Sequence, residues 1–287
     1  MKKQILLLSV ASVLTIYISC QEEKECCAIP PAATLPPTPV VVYKIDKLKP
    51  VWQDEFDYKG LPDTKNWGYD IGGNGWGNQE KQYYTNDLKN ARVEDGKLII
   101  EAHKETFGSN GYTSARLVSK GKGDFLYGRF EIKAKLPKGT GTWPAAWMLP
   151  TVQTYGTNYW PDNGEIDIIE HVGFDQNRIH GNVHTKAFNH SIGTNKGNNV
   201  MISGVSEEFH VYACEWTPDK ITLEIDGNVY FTFASSGSWE QWPFDRKFHL
   251  LLNIAVGGAW GGQKGIDDTI FPQKMEIDYV RVFEAVK

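Results

Sequence analysis

Apolar and polar residues alternate with a period of two along most of this chain. The runs KLIIEAHKE near residue 100, YGRFEIKAKL near 130, GEIDIIEHV near 168, ITLEIDGNVYFTF near 226 and MEIDYVRVFEA at the end all show it. That period belongs to strands with one face buried. Asp95-Gly96 and Asp226-Gly227 sit between strand-like runs and predict tight hairpin turns. No segment sustains a 3.6-residue period, which argues against a βαβ architecture. No internal repeat of 20 to 50 residues is present, which argues against a propeller or solenoid. The expected fold class is all-β, an antiparallel sandwich of the jelly-roll kind.

The first residues break this pattern. MKKQILLLSVASVLTIYISC has two lysines followed by an apolar stretch of about 15 residues, a length suited to a signal peptide and short for a membrane span. Cys20 follows the small Ser19 and resembles the lipid-attachment Cys of a bacterial lipobox, although Tyr17 stands where Leu is usual. Glu22, Glu23 and Glu25 resemble the acidic export tag of surface lipoproteins; a solvated linker is the other reading. Residues 28 to 42 hold five prolines between Pro30 and Pro39, which favours an extended stalk. The expected organisation is a lipoprotein signal peptide over 1–19, an anchor, tag and stalk over 20–45, and one catalytic domain over 46–287. The expected location is the outer membrane or cell surface of a bacterium, or a periplasm-facing position, with membrane contact only through the lipid.

Composition then narrows the classes. Of 287 residues, 41% are hydrophobic and 23% charged, which excludes a disordered chain. The net charge is −5. Losing Lys2 and Lys3 with the signal lowers it to −7; the tag accounts for −2, and the domain keeps −5. An acidic domain offers no clustered positive charge for nucleic acid. Cysteine is scarce: Cys20, the adjacent Cys26 and Cys27, and Cys214, expected as a buried thiol because it alternates with Tyr212 and Trp216. Aromatics reach 13%, with ten Trp. No GxSxG elbow, P-loop or dinucleotide fingerprint is present.

The segment from Gly164 to Gly173 carries the chemistry. In a regular strand Glu165 and Asp167 share a face, and Glu170 points into the core. A bulge at Ile168-Ile169 restores the phase, putting all three carboxylates on one side and one of those two isoleucines in the core. Crowded carboxylates raise at least one pKa, as a glycosidase needs for one ionised and one protonated group. A solvated acidic row or a calcium-binding strand has the same spacing.

The Glu-x-Asp-x-x-Glu segment and the following HVGFDQNRIHGNVHT resemble the catalytic region of glycoside hydrolase family 16, and most of all its bacterial laminarinases. The resemblance extends through VWQDEFDYKGLPDTKNW, GGNGWGNQEKQYYT, SARLVSKGKGDFLYGRFEIKAKLPKGTGTWPAAWMLP and HLLLNIAVGGAWGG. It implies a curved, concanavalin-like sandwich with an open concave cleft. It implies Glu165 as nucleophile, Glu170 as general acid/base and Asp167 as assistant, in a retaining endo-hydrolysis of β-1,3-glucan. It implies sugar contacts by Asn78, Arg116, Trp143, Trp147, Trp160, His184 and Trp260, with Trp52, Trp67 and Trp216 left to the scaffold. Catalysis would need no cofactor. A structural calcium would take Glu55, the backbone of Gly96 and Asp278; ordinary surface acids are the other reading. Zinc is not expected at His180 and His184, and His171 should point away from the acid face. The partner would be a polysaccharide, bound by a monomer. Two rivals remain: another polysaccharidase of the same branch (agarase, carrageenase or mixed-linkage glucanase), and a glucan-binding lipoprotein without chemistry.

Overall fold

Alternation decides which side of each strand is buried. In Gly128–Lys135, Phe130, Ile132 and Ala134 are fully buried, while Glu131, Lys133 and Lys135 look outward. The same rule repeated along the chain builds two sheets around one core. The structure, a computed structural model, describes residues 42–287. The signal peptide, Cys20, the acidic tag, Cys26, Cys27 and the prolines lie outside the described residues.

The outer sheet runs Asn228–Ala234, Lys220–Ile225, His210–Trp216, Gly128–Lys135, Gln273–Phe283, Lys97–Phe107, Asn110–Ser114 and Gln82–Tyr84, with Trp52–Asp54 and Ala91–Glu94 attached to it. The inner sheet runs Lys196–Met201, Arg178–His184, Glu165–Glu170, Thr142–Pro150, Phe248–Val256, Arg116–Val118 and Gly68–Tyr69, with Asp124–Phe125 beside Phe248–Val256. Pairings are antiparallel except between Gln82–Tyr84 and Asn110–Ser114. Between the sheets lie Leu98, Ile100, Phe130, Ile132, Ile166, Leu250, Leu252, Met275 and Ile277, each fully buried. Trp67, Trp216 and Cys214 belong to this core, and Trp52 packs against it.

Both Asp-Gly pairs turn hairpins. Asp95 and Gly96 have φ of 52° and 70°, and Asp226 and Gly227 have 50° and 78°, the left-handed pair that a two-residue turn demands. Lys44–Ile45, assigned to the stalk by composition, pairs with Ala285–Val286. The prolines end at Pro39, and the β-branched residues that follow leave the chain free to add a short strand.

All nine residues of Phe248–Val256 are buried. One side faces the core. The other lies beneath a cleft on the opposite face of the inner sheet.

Candidate active site

The register of Glu165–Glu170 sets the site. Asp167 lies opposite Asn182 on one side and Trp147 on the other; Glu170 lies opposite His180 and Ala145. Over this stretch the strand advances three residues while each neighbour advances two. The extra residue is a β-bulge. Glu165, Asp167 and Glu170 therefore all face the cleft. The parity change turns two successive side chains the other way, so Ile168 and Ile169 are both buried, rather than one of them.

The cleft has a volume of about 720 Å³. Asn78, Arg116, Trp143, Trp147, Trp160, His184 and Trp260 all line it, around the three carboxyl groups. Alternation places Trp143, Ala145, Trp147 and Leu149 on its floor from a single strand. Trp143 Nε1 donates to Glu170 Oε1 at 3.2 Å, and Asn182 Nδ2 donates to Glu170 Oε2 at 3.0 Å. His184 Nε2 lies 3.3 Å from Asp167 Oδ2 and 3.9 Å from Glu165 Oε1. Trp160 packs near His184 and His190, at 6.0 and 5.0 Å between ring centres. Trp260 meets Trp143 and His180 edge-on. The Arg116 guanidinium sits between Trp76 and Trp147, 4.8 and 4.7 Å from their rings, and pairs with Asp70 at 3.1 Å.

The cleft also holds residues that the sequence does not single out, Trp76, Glu80, Tyr159, Asn182, His190 and Asn253, and His180, which the sequence brings up only as a rejected zinc ligand. His180 and Asn182 were within reach, because they alternate with His184 on Arg178–His184. Asn253, a lone amide in the apolar run LLLNIAV, was a second available clue.

Burial dominates the electrostatics. It raises the Glu165 pKa to about 8, helped by the charge of Asp167, and the Glu170 pKa to about 7, helped by Glu165. Asp167, only 2% exposed, is pushed well above the usual carboxylate range by burial and by Glu170. The trio thus retains protons near neutrality and can offer an acid and an anion together. His171 is fully buried outside the cleft, and burial lowers its pKa to about 4, leaving it neutral. Burial likewise pushes the Cys214 thiol up, out of nucleophilic range.

Glu165, Asp167 and His184 bring one ligand-capable atom each within 4.8 Å of the others; His180 is not part of this group. The expected calcium positions look different. Leu98 pairs with Ile277 and Asp54 with Val280, so Glu55, Gly96 and Asp278 converge on one stretch of Gln273–Phe283. Arg281 grips Glu55 through two bonds of 2.7 and 2.8 Å, and Lys133 pairs with Asp278 at 2.7 Å. As arranged, both oxygens of Glu55 and one oxygen of Asp278 bond to the chain's own cations.

Comparison with known proteins follows the same lines. The sequence profile described as glycosyl hydrolases family 16 matches residues 78–281. The chain is 57% identical over 244 residues to a beta-glucanase of Rhodothermus marinus, covering 83% of this chain and 85% of the relative. It is 37% identical over 252 residues to a glucan endo-1,3-beta-glucosidase of Cryptopygus antarcticus, covering 80% of this chain and 90% of the relative. The X-ray structure of the laminarinase from Rhodothermus marinus superposes with a TM-score of 0.83 at 54% identity, over 86% of this chain and all of that one.

Proposed function

This chain belongs to glycosyl hydrolases family 16, and on that premise we propose that it cleaves β-1,3-glucan of the laminarin type internally, with retention of anomeric configuration. The carrying observation is the bulged strand, which gathers Glu165, Asp167 and Glu170 on the floor of an aromatic-lined cleft. The three carboxyl groups share their protons as one coupled set, and the reacting form is the one with Glu165 ionised and Glu170 protonated. Glu165 attacks the anomeric carbon while Glu170 gives its proton to the departing glycosidic oxygen. The C–O bond breaks, and a glycosyl ester forms on Glu165. Glu170, now ionised, takes a proton from water; the water oxygen attacks the same carbon and releases Glu165. Asp167, pushed well above the usual carboxylate range by burial and by Glu170, stands beside Glu165 and tunes its charge. Trp143, Trp147, Trp160 and Trp260 offer flat faces to pyranose rings, and Asn78, Arg116 and His184 offer polar contacts.

Incubation with laminarin, lichenan, agarose and κ-carrageenan tests this reading. The expectation is rapid shortening of laminarin with new reducing ends of retained configuration. Cleavage of agarose or κ-carrageenan alone would replace the substrate. Glucan affinity without new reducing ends would make the protein a binder.

The export reading, an outer-membrane or surface lipoprotein anchored at Cys20 and monomeric, is supported by the order of basic, apolar, cysteine, acidic and proline-rich segments. Labelling with radioactive palmitate and protease shaving of whole cells test it. A structural calcium is supported by backbone register alone and requires Arg281 and Lys133 to release Glu55 and Asp278. Melting with calcium against melting with a chelator decides: a higher midpoint with calcium means the metal wins, and no shift means the ion pairs hold by themselves.

A further inference from the structure

The double displacement leaves one buried carboxylate of the cleft wall without a task. Glu80 is only 9% exposed, and among the described residues no cation bonds to it; the nearby Arg116 pairs with Asp70 instead. Neutral donors surround it. Gln82 Nε2 and Tyr84 Oη donate to Glu80 Oε2 at 2.6 and 3.1 Å, and Asn78 Nδ2 donates to Oε1 at 3.4 Å. Asn253 Nδ2 donates in turn to Tyr84 Oη at 3.0 Å, and Trp147 Nε1 donates to Asn253 Oδ1 at 2.7 Å.

This chain of bonds has a direction, fixed at both ends: the Trp147 indole N–H only donates, and the Glu80 carboxylate accepts. A carboxylate only accepts, and a phenol has one proton. Tyr84 gives that proton to Glu80 and must accept from Asn253. Asn253 therefore turns its NH₂ to Tyr84 and its oxygen to Trp147. With no acceptor at Glu80, the Tyr84 proton has no partner in the chain, because Asn253 presents only its NH₂ to Tyr84. Tyr84 then shifts toward another acceptor, and Asn253 and Trp147 lose the anchor that holds them in place. Trp147 is also sandwiched with Arg116, so the ring and the guanidinium shift together. The same carboxylate holds Asn78, and a Cβ at Gly258 would sit 3.0 Å from the Asn78 carbonyl and 3.4 Å from both Glu80 and Trp143. The wall is packed too closely for these side chains to settle independently.

We propose that Glu80 is a positioning residue: it anchors the Tyr84–Asn253 chain that orients Trp147, and with Asn78 it governs how tightly sugar is held, not how fast the bond breaks. This rests on the glucanase reading above only for the choice of substrate.

The test compares Glu80→Ala and Glu80→Gln, alone and with Trp147→Phe, whose ring lacks the N–H. On laminarin, Glu80→Ala should raise KM about tenfold with kcat within about twofold. Glu80→Gln keeps an acceptor for Tyr84 and should fall between. In the Trp147→Phe background, Glu80→Ala should move KM less than about twofold. Independent, multiplying effects on KM, or a kcat that falls together with kcat/KM, would overturn the proposal. A crystal structure of Glu80→Ala decides it without any substrate. Tyr84, Asn253 and Trp147 all unmoved from their wild-type positions would sink the idea, whereas an inactive wild-type protein sinks only the glucanase reading.

Discussion

Trp143 Nε1 donates to Glu170 Oε1 across 3.2 Å, so one ring both lines the sugar cleft and holds the proposed acid/base. The bond favours the ionised carboxylate and lowers its pKa, against burial that raises it to about 7. As an acid, Glu170 works protonated, and activity falls as pH rises through that value. Trp143→Phe removes the donor and keeps an aromatic face. The alkaline limb of kcat should move up, by about half a pH unit. A limb that stays put or moves down would show that Trp143 does not tune Glu170.

Glu165→Ala and Glu170→Gln should each lower kcat by roughly a thousandfold or more with the fold intact by circular dichroism. Azide separates the roles on an activated aryl glycoside. With Glu165→Ala it stands in for the nucleophile and gives the α-glycosyl azide. With Glu170→Ala it attacks the glycosyl ester and gives the β-azide. The opposite pair of products would exchange the assignments.

Holding the trio also costs stability, with a defined pH window. Glu165 rises from an ordinary 4.5 to about 8 on folding. Its contribution is fully present below pH 4.5, where both states are protonated, and is lost as pH rises through 8. Glu165→Gln removes that loss. At pH 8.5 it should melt above wild type by roughly 10–20 °C, corresponding to the ~5 kcal/mol that a rise from 4.5 to about 8 carries, and at pH 4.5 the two should coincide. Equal differences at both pH values would refute the linkage.

Gly197 on the edge strand has no room for a side chain, because a Cβ would run into Asn182 Oδ1 and the Gly181 carbonyl. Gly197→Ala should push Asn182 off Glu170 and lower kcat/KM about tenfold, matching Asn182→Ala. Unchanged kinetics with an Asn182 amide still 3.0 Å from Glu170 in a crystal structure would count against it.

The strands and the acidic face were legible because both follow from parity. Glu165, Asp167 and Glu170 fall on one side only if one residue is out of phase, and burying a charged Glu170 is the costlier alternative. Glu80 was not legible. Its burial comes from docking the 75–80 loop onto the 257–260 loop, through bonds such as Ala259 N to the Asn78 carbonyl. Those partners lie about 180 positions apart in the sequence, and no local period reports them. The ion pair between Glu55 and Arg281 escaped for the same reason.

The bulge has a last consequence for how this protein can vary. Deleting Ile168 would return the carboxylates to strict alternation, with Glu165, Asp167 and Glu170 still on the cleft side. The six-residue and five-residue versions are two spellings of one surface. Losing either Ile168 or Ile169 therefore turns no carboxylate into the core, whereas losing one residue from a regular strand inverts every side chain beyond it. The catalytic strand can shorten by this one residue and keep its acidic face.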